Sequence, residues 1–435
     1  MNPVHWYIGW KRNRELRQRS RAYEQPVERA IQLNWQLRSL NACWKRICNN
    51  VPHYSYLLRS NRVPRTLRSI EEFVSSVPVT TRSTVQSHLA EMSDRTRKPD
   101  FWRMTGGTTS EPIQIPAWNS EYNYTSPDIW VARSWYGVTP WSRLFLVWGH
   151  SHLLGTGVKG WLNGLIRSMK DQFLEYYRFN AYDISEKAMR RAGSELLRFK
   201  PHYVIGYSVA LDSFARTNQH LREEFGKLNL KVSIGAAEGF PSHDSKDIIE
   251  ETLSCPVSME YGSVETALIA HLHPEGYYIV PWRTYFVEAG EKGHSEGRAV
   301  RITSLYPRCF PLIRYEIGDE IELFNEENYH HGITMFKRVI GRCNDYVKMP
   351  DGTMIHSETV THSVRWCKSI RGYQLVSEGG ELYLNLVSEY MTKDEEKEVR
   401  RKLLRIHPGF KRLKMNHVAE LEKTIAGKTH MIINR

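Results

Sequence analysis

At 435 residues, 41% hydrophobic and 25% charged, the chain has the composition of an ordinary globular protein and the length for two or three domains. Its longest apolar runs, such as residues 144–148, are far too short to span a bilayer, and the N-terminus lacks the apolar core of a signal peptide, so the expected location is cytoplasmic. The net charge of +12 is gathered at one end, where residues 1–70 hold 14 Lys/Arg against 3 Asp/Glu.

Within that end Arg12, Arg14, Arg17, Arg19 and Arg21 crowd one segment. Such a segment reads either as a solvated basic helix or as a contact for an anionic glycan or an acidic membrane surface, which would set the protein at the periphery of the inner membrane. No zinc-finger or RNA-recognition pattern accompanies it, so no nucleic-acid partner is expected. Between residues 26 and 49, Ala30, Leu33, Leu37 and Leu40 recur at three- and four-residue spacing and predict a helix. After the break at Val51-Pro52 come a helix near 69–73, an extended piece at 77–80, and a helix carrying Val85 and Leu89 with Ser83 as its predicted cap. Residues 102–118 read as strand, glycine loop, strand. Helices are predicted at 123–136 (closed by Gly137), 161–169, 185–199 (capped by Ser185) and 209–221. Strands are predicted at 144–148, 203–205, 232–234, 257–261 and 279–280. This alternation predicts an α/β fold: a large, multi-layer N-terminal domain with mostly parallel sheets. Beyond about Gly318 the strand-like runs 321–323, 334–339, 346–348, 373–376 and 381–387, with a charged helix at 395–406, predict a small α+β C-terminal domain. The expected division is a basic extension at 1–24, a large domain at 25–341 and a small domain at 342–435. Six scattered cysteines without a C-x-x-C spacing fit a reduced compartment and argue against a zinc cluster.

The chemistry-bearing stretches begin with Thr105-Gly106-Gly107-Thr108-Thr109-Ser110-Glu111-Pro112. Adjacent glycines let consecutive amides turn inward as an anion nest, and the hydroxyls add donors, so a phosphate is the natural guest. A polar turn between strands is the plainer reading. No lysine follows the glycines, which excludes a Walker A loop. Gly155-Thr156-Gly157-Val158-Lys159-Gly160 matches G-x-G-x-x-G, yet it stands too far beyond the preceding strand for a dinucleotide turn. Gly206-Tyr207-Ser208-Val209-Ala210 imitates a nucleophile elbow, with Asp244 and His271 or His273 downstream. Ala210 stands where the second glycine belongs, and Ser208 would serve equally as a helix cap. Two rival functions therefore stay open: a serine hydrolase using Ser208, and a basic binding module without catalysis. His150, after the strand that ends at Trp148, reads as a pocket-lining residue. Further on, Gly235-Ala236-Ala237-Glu238 offers small side chains beside which a flat ring could slide. Tyr261-Gly262-Ser263-Val264-Glu265 puts an aromatic, a glycine and a carboxylate in a row. Arg314-Tyr315-Glu316-Ile317-Gly318-Asp319 sets an acid after a glycine turn, suited to a ribose diol. Gly341-Arg342-Cys343-Asn344-Asp345 marks the change of composition, and Gly427-Lys428 a basic loop.

In this order and spacing the set resembles the adenylate-forming superfamily of acyl-CoA synthetases, luciferases and adenylation domains. It is most similar to the phenylacetate–CoA ligase-like branch, which includes members found with capsule and exopolysaccharide genes. The resemblance covers residues 25–435. It implies activation of a carboxylic acid by ATP as an acyl-adenylate, then transfer of the acyl group to coenzyme A or to an amine or hydroxyl acceptor, as in polysaccharide biosynthesis. It implies that Thr105, Gly106, Gly107, Thr108 and Thr109 hold phosphates, and that Glu265 holds Mg2+. Ala237, Glu238, Tyr261 and Gly262 would surround adenine, Asp319 would take the ribose hydroxyls, and Arg342 would assist. Lys428 would bridge the carboxylate and the α-phosphate. The small domain would be mobile, turning about Asn344. Trp148, His150 and Tyr207 would line the acyl pocket. The chain departs from the pattern at Glu111, where a lysine is common, at Val264, where a hydroxyl is usual, and at Asn344, where the first hinge aspartate stands.

Overall fold

The computed structural model describes the chain apart from residues 1–2, 24–26, 105–112, 149–156, 182–183, 243, 293–296, 325–330, 343–345, 350, 352–353, 357–359, 361–362, 365–366, 368, 389 and 423–430. It is an α/β protein of two units, one comprising Met1–Gly9, Tyr136–Met259 and Asn344–Arg435, the other Trp10–Trp135 and Glu260–Cys343.

In the first unit short apolar runs become parallel strands. Tyr176–Phe179, Leu144–Val147, Tyr203–Tyr207 and Ser233–Ala236 lie side by side in that order. Every residue of Tyr203–Tyr207 is buried, as expected for a strand covered on both faces. Parallel neighbours need crossover connections, and the helices Gly157–Phe173, Glu186–Phe199 and Ser208–Thr217 provide them. Ser185 caps the second of these as its spacing predicts, accepting from the Ala188 amide at 3.3 Å. Phe145, Met189, Leu196, Val204, Leu211, Phe214 and Leu253 form the core beneath. The C-terminal segment of this unit has its own sheet, ordered Lys414–His417, Glu381–Ser388, Ile370–Glu378, Ile432–Asn434. Its central pair is antiparallel and its flanks parallel. Val399 and Leu403 of the helix Lys393–Ile406 pack into a second core there, and Thr392 and Glu395 cap that helix reciprocally.

The second unit is antiparallel. Tyr285–Lys292, Arg298–Ser304, Tyr315–Glu322 and Arg338–Arg342 form one sheet. The part of Val257–Ser263 that lies in this unit pairs with Ala267–Leu272, followed by Tyr278–Ile279 and Met335–Phe336. These strands follow one another without intervening helices, which is the condition for hairpin pairing. Leu40, Trp44 and Ile47 of the helix Arg29–Asn50 pack with Phe73, Val85, Phe286 and Tyr315. Thr81, rather than Ser83, caps the helix Arg82–His88, accepting from the Thr84 amide at 3.3 Å; Ser83 lies inside the first turn and hydrogen-bonds the cap itself. Arg19, from the basic segment, is committed internally to the buried Asp128 at 3.4 Å. The five described cysteines are buried free thiols. Among the described residues no helix is long and apolar enough to cross a membrane.

Candidate functional site

The glycine-rich stretch is framed by two strands of the second unit. Phe101–Met104 and Gln114–Ala117 pair antiparallel, with Met104 opposite Gln114. Thr105, Gly106, Gly107, Thr108 and Thr109 lie outside the described residues, but the base of their segment is well anchored. Arg103 reaches the Glu121 carboxylate at 2.9 Å. Glu121 is buried, and its other oxygen accepts from the Trp118 and Cys309 amides, both at 3.0 Å. Arg308 lies 3.7 Å from the same carboxylate and donates to the Glu265 carbonyl. Tyr285 donates to the next carbonyl, that of Thr266. One buried network thus joins the root of the glycine segment to the turn that bears Glu265.

That turn has a stereochemical reason for its sequence. A Cβ on residue 262 would stand 2.2 Å from the Ala267 carbonyl oxygen, so only glycine fits where the pairing register shifts between Tyr261 and Gly262. Ser263 and Thr266 close the turn by exchanging amide-to-hydroxyl bonds of 3.1 and 3.2 Å. Glu265 is 8% exposed; its carboxylate accepts from the Tyr315 hydroxyl at 3.4 Å and lies 3.9 Å from Arg82. Burial, and then the Glu265 charge, push the Tyr315 phenol up, so it stays a proton donor to the carboxylate.

The same unit brings Tyr261 and Asp319 together: the phenol donates to the Asp319 carboxylate at 2.8 Å. Gly318 has φ +82° and sits where the strand Tyr315–Glu322 shifts register, which delivers Asp319 to this position. Asp319 and Arg342 are register partners on adjacent strands. The side chain of Arg342, with Asn344 and Lys428, lies outside the described residues. Arg314, at the head of the same motif, has a structural task. It is buried against Glu288 at 2.9 Å and donates to the Val77 carbonyl at 2.6 Å.

In the first unit, Trp148 and Tyr207 emerge from neighbouring parallel strands with ring centroids 4.3 Å apart; His150 lies outside the described residues. The small residue at 235 answers to packing: a Cβ there would meet Phe240 and the Ser208 hydroxyl, each at 2.8 Å. Ala237 has φ +73°, and the Glu238 carbonyl accepts from Ser208 at 2.8 Å. Ser208 is fully buried, and its hydroxyl is spent on that carbonyl. The nucleophile-elbow reading is therefore corrected: a sealed hydroxyl donating to a carbonyl serves packing. Nor is Ser208 the helix cap, since Tyr207 holds that position.

Arg82, Glu121, Arg308 and Tyr315 escaped the sequence reading. Arg82 and Arg308 act through the distant Glu265, and Glu121 through the distant Cys309 amide, and no local pattern marks such a role. Only Tyr315, inside the glycine–aspartate motif, could have been singled out. Among the described residues, His53, His88 and Glu91 alone bring metal-ligand atoms of three side chains within 4.8 Å of one another. Glu265 belongs to no such group. A hard cation there would rest on one carboxylate and the oxygens of a substrate, the arrangement typical of Mg2+ with a nucleotide.

No family model matches the chain. Over 217 residues it is 25% identical to protein CapK of Staphylococcus aureus, a match covering 47% of this chain and 46% of CapK, so the chain spans about half the length of that curated relative. Among solved structures it is similar to 2-hydroxyisobutyryl-CoA ligase in the postadenylation state in complex with 2-HIB-AMP (TM-score 0.70, 17% identity, 94% of this chain and 90% of that one). It is also similar to the anthranilate CoA ligase AuaEII in complex with anthranoyl-AMP (TM-score 0.50, 15% identity, 88% and 79%). A third likeness is to the amide bond synthetase McbA of Marinactinospora thermotolerans (TM-score 0.52, 14% identity, 74% and 67%).

Proposed function

We propose, for a chain with the fold of the adenylate-forming ligases, that the protein activates a carboxylic acid with ATP and then passes the acyl group to coenzyme A. The observation that carries this reading is the network from Arg103 through Glu121 and Arg308 to the Glu265 carbonyl. It supports the reading by tying the strand end before residue 105 to the backbone of the turn that bears Glu265.

In the first half-reaction a carboxylate oxygen attacks the α-phosphorus, and the bond from that phosphorus to the pyrophosphate oxygen breaks. In the second, a thiol sulfur attacks the acyl carbon, the bond to AMP breaks, and the thiol proton leaves. Thr105, Gly106, Gly107, Thr108 and Thr109 hold the β- and γ-phosphates, and Thr109 donates to the charge that builds there. Glu265 holds Mg2+, whose chemistry is to offset phosphate charge. Tyr261 and Gly262 flank adenine, and Asp319 accepts from the ribose hydroxyls beside Arg342. Trp148, His150 and Tyr207 surround the acyl group. Lys428 approaches the α-phosphate as the small domain, residues 342–435, turns about Asn344. An amine or hydroxyl acceptor, as in polysaccharide biosynthesis, is the second reading, favoured by the likeness to an amide bond synthetase. The basic N-terminus would then bring an anionic glycan or membrane surface near.

ATP–pyrophosphate exchange across a panel of carboxylic acids tests the first half-reaction. Exchange that depends on one class of acid is expected; silence across the panel together with no ATP binding overturns the reading. Glu265→Gln is expected to raise the Mg2+ concentration for half-maximal exchange about tenfold, because a neutral amide is a poorer ligand for a hard cation. An unchanged Mg2+ titration removes Glu265 from the metal role.

A further inference from the structure

A surface helix of a globular protein turns its apolar stripe toward the core. The helix Gly157–Phe173 does the reverse. Trp161, Leu162, Leu165, Ile166, Met169 and Phe173 are each between 45 and 67% exposed. Their spacing of three and four residues lines them along one face. The side turned inward carries the half-buried Arg167 and the buried Asp171, whose carboxylate takes two bonds from Arg178 at 2.5 and 3.1 Å. Single apolar residues on a surface need no explanation, but six large ones on one helix face mark an interaction site.

We propose that this face is a membrane-docking element, lying in the plane of an anionic lipid surface with its six apolar side chains at the headgroup–acyl boundary. Lys170 is exposed beside this face, and the helix's one carboxylate, Asp171, is already neutralised by Arg178. Tyr177, on the strand that also bears Arg178, lies within electrostatic reach of Glu195, which pairs with Arg198, and of Arg198 and Arg191 themselves. Against Asp171 and Glu195 stand Lys170, Arg178, Arg191 and Arg198, so the immediate surroundings are basic. Two copies of this helix set face to face would bring like charges together, whereas anionic headgroups complement them. Basic residues beside a face of Trp, Leu, Ile, Met and Phe are the mark of a helix that lies on a bilayer, and no described helix is apolar enough to cross one. The proposal is independent of the chemistry assigned to the active site.

Co-sedimentation of the whole protein with vesicles of phosphatidylcholine, with and without phosphatidylglycerol, tests it. Binding to the anionic vesicles is expected, weakened by salt. The triple variant L165S/I166S/M169S is expected to bind at least about tenfold more weakly, since each side chain withdraws apolar area from the lipid. The milder Lys170→Glu variant is expected to weaken binding to anionic vesicles alone, and it keeps the test decisive should the triple variant fold poorly. Three outcomes overturn the proposal: no binding to either vesicle, equal binding by the variants, or a solution dimer that the triple variant splits, which would assign the face to a second copy.

Discussion

Replacing Lys428 with alanine is expected to lower acyl-adenylate formation about 10²- to 10³-fold, while leaving thioester formation from a supplied acyl-adenylate within about twofold. The asymmetry follows from charge. In adenylation an anionic carboxylate must approach an anionic phosphate, and a cation between them stabilises the transition state more than the separated reactants. In thioester formation pyrophosphate has gone and the attack falls on a neutral acyl carbon, so the same cation has little to offset. Exchange of labelled pyrophosphate measures the first step, and chromatography of acyl-CoA made from synthetic adenylate measures the second. Equal loss of both would sink the division of labour between two domain positions.

Arg314→Ala is expected to destabilise the protein by about 3–5 kcal/mol, because it strands the buried Glu288 carboxylate. It also leaves the carbonyls of Val74 and Val77 without their shared donor. Its sign with pH is the sharper test. Burial raises the Glu288 pKa above the ordinary carboxylate value, and Arg314 opposes that rise. A carboxyl whose folded pKa is raised stabilises the fold in its protonated form. That contribution is complete below the unfolded value of 4.5 and is lost as pH climbs through the folded value. Removing Arg314 lets the folded value climb further, so the variant's deficit should shrink as pH falls from about 8 to about 5. Urea melts of both proteins at the two pH values measure it, and a deficit independent of pH would show that Glu288 is not the stranded charge. Replacing both residues with apolar side chains of similar volume should recover much of the loss.

These two residues show what a sequence displays and what it hides. Gly262, Gly318 and Ser185 were legible because each meets a local stereochemical demand: a close carbonyl, a positive φ, an open amide at a helix start. The short buried strands 144–147 and 203–207 were legible as apolar runs bounded by turn residues. Arg314 stood inside a recognised motif, yet its partners Glu288 and Val74 are far off in the chain, so nothing nearby announced that it holds the fold together. The hairpin strands Tyr285–Lys292 and Arg298–Ser304 were missed for a related reason. Half their residues are charged or small, and they owe strand geometry to cross-strand pairing that only the folded sheet supplies. The helix Gly157–Phe173 was legible as a helix, but periodicity alone cannot say which face meets the protein.

The tie beneath Glu265 also bears on motion. Arg308 holds one carbonyl of the 263–266 turn and Tyr285 the next, while the Ser263 and Thr266 hydroxyls close it from within. A turn pinned at four points has few states to give up, so a ligand bound against it would lose little free energy to ordering it. Such a segment cannot act as a gate. Freedom of movement in this unit therefore belongs to segments held by fewer bonds than this turn.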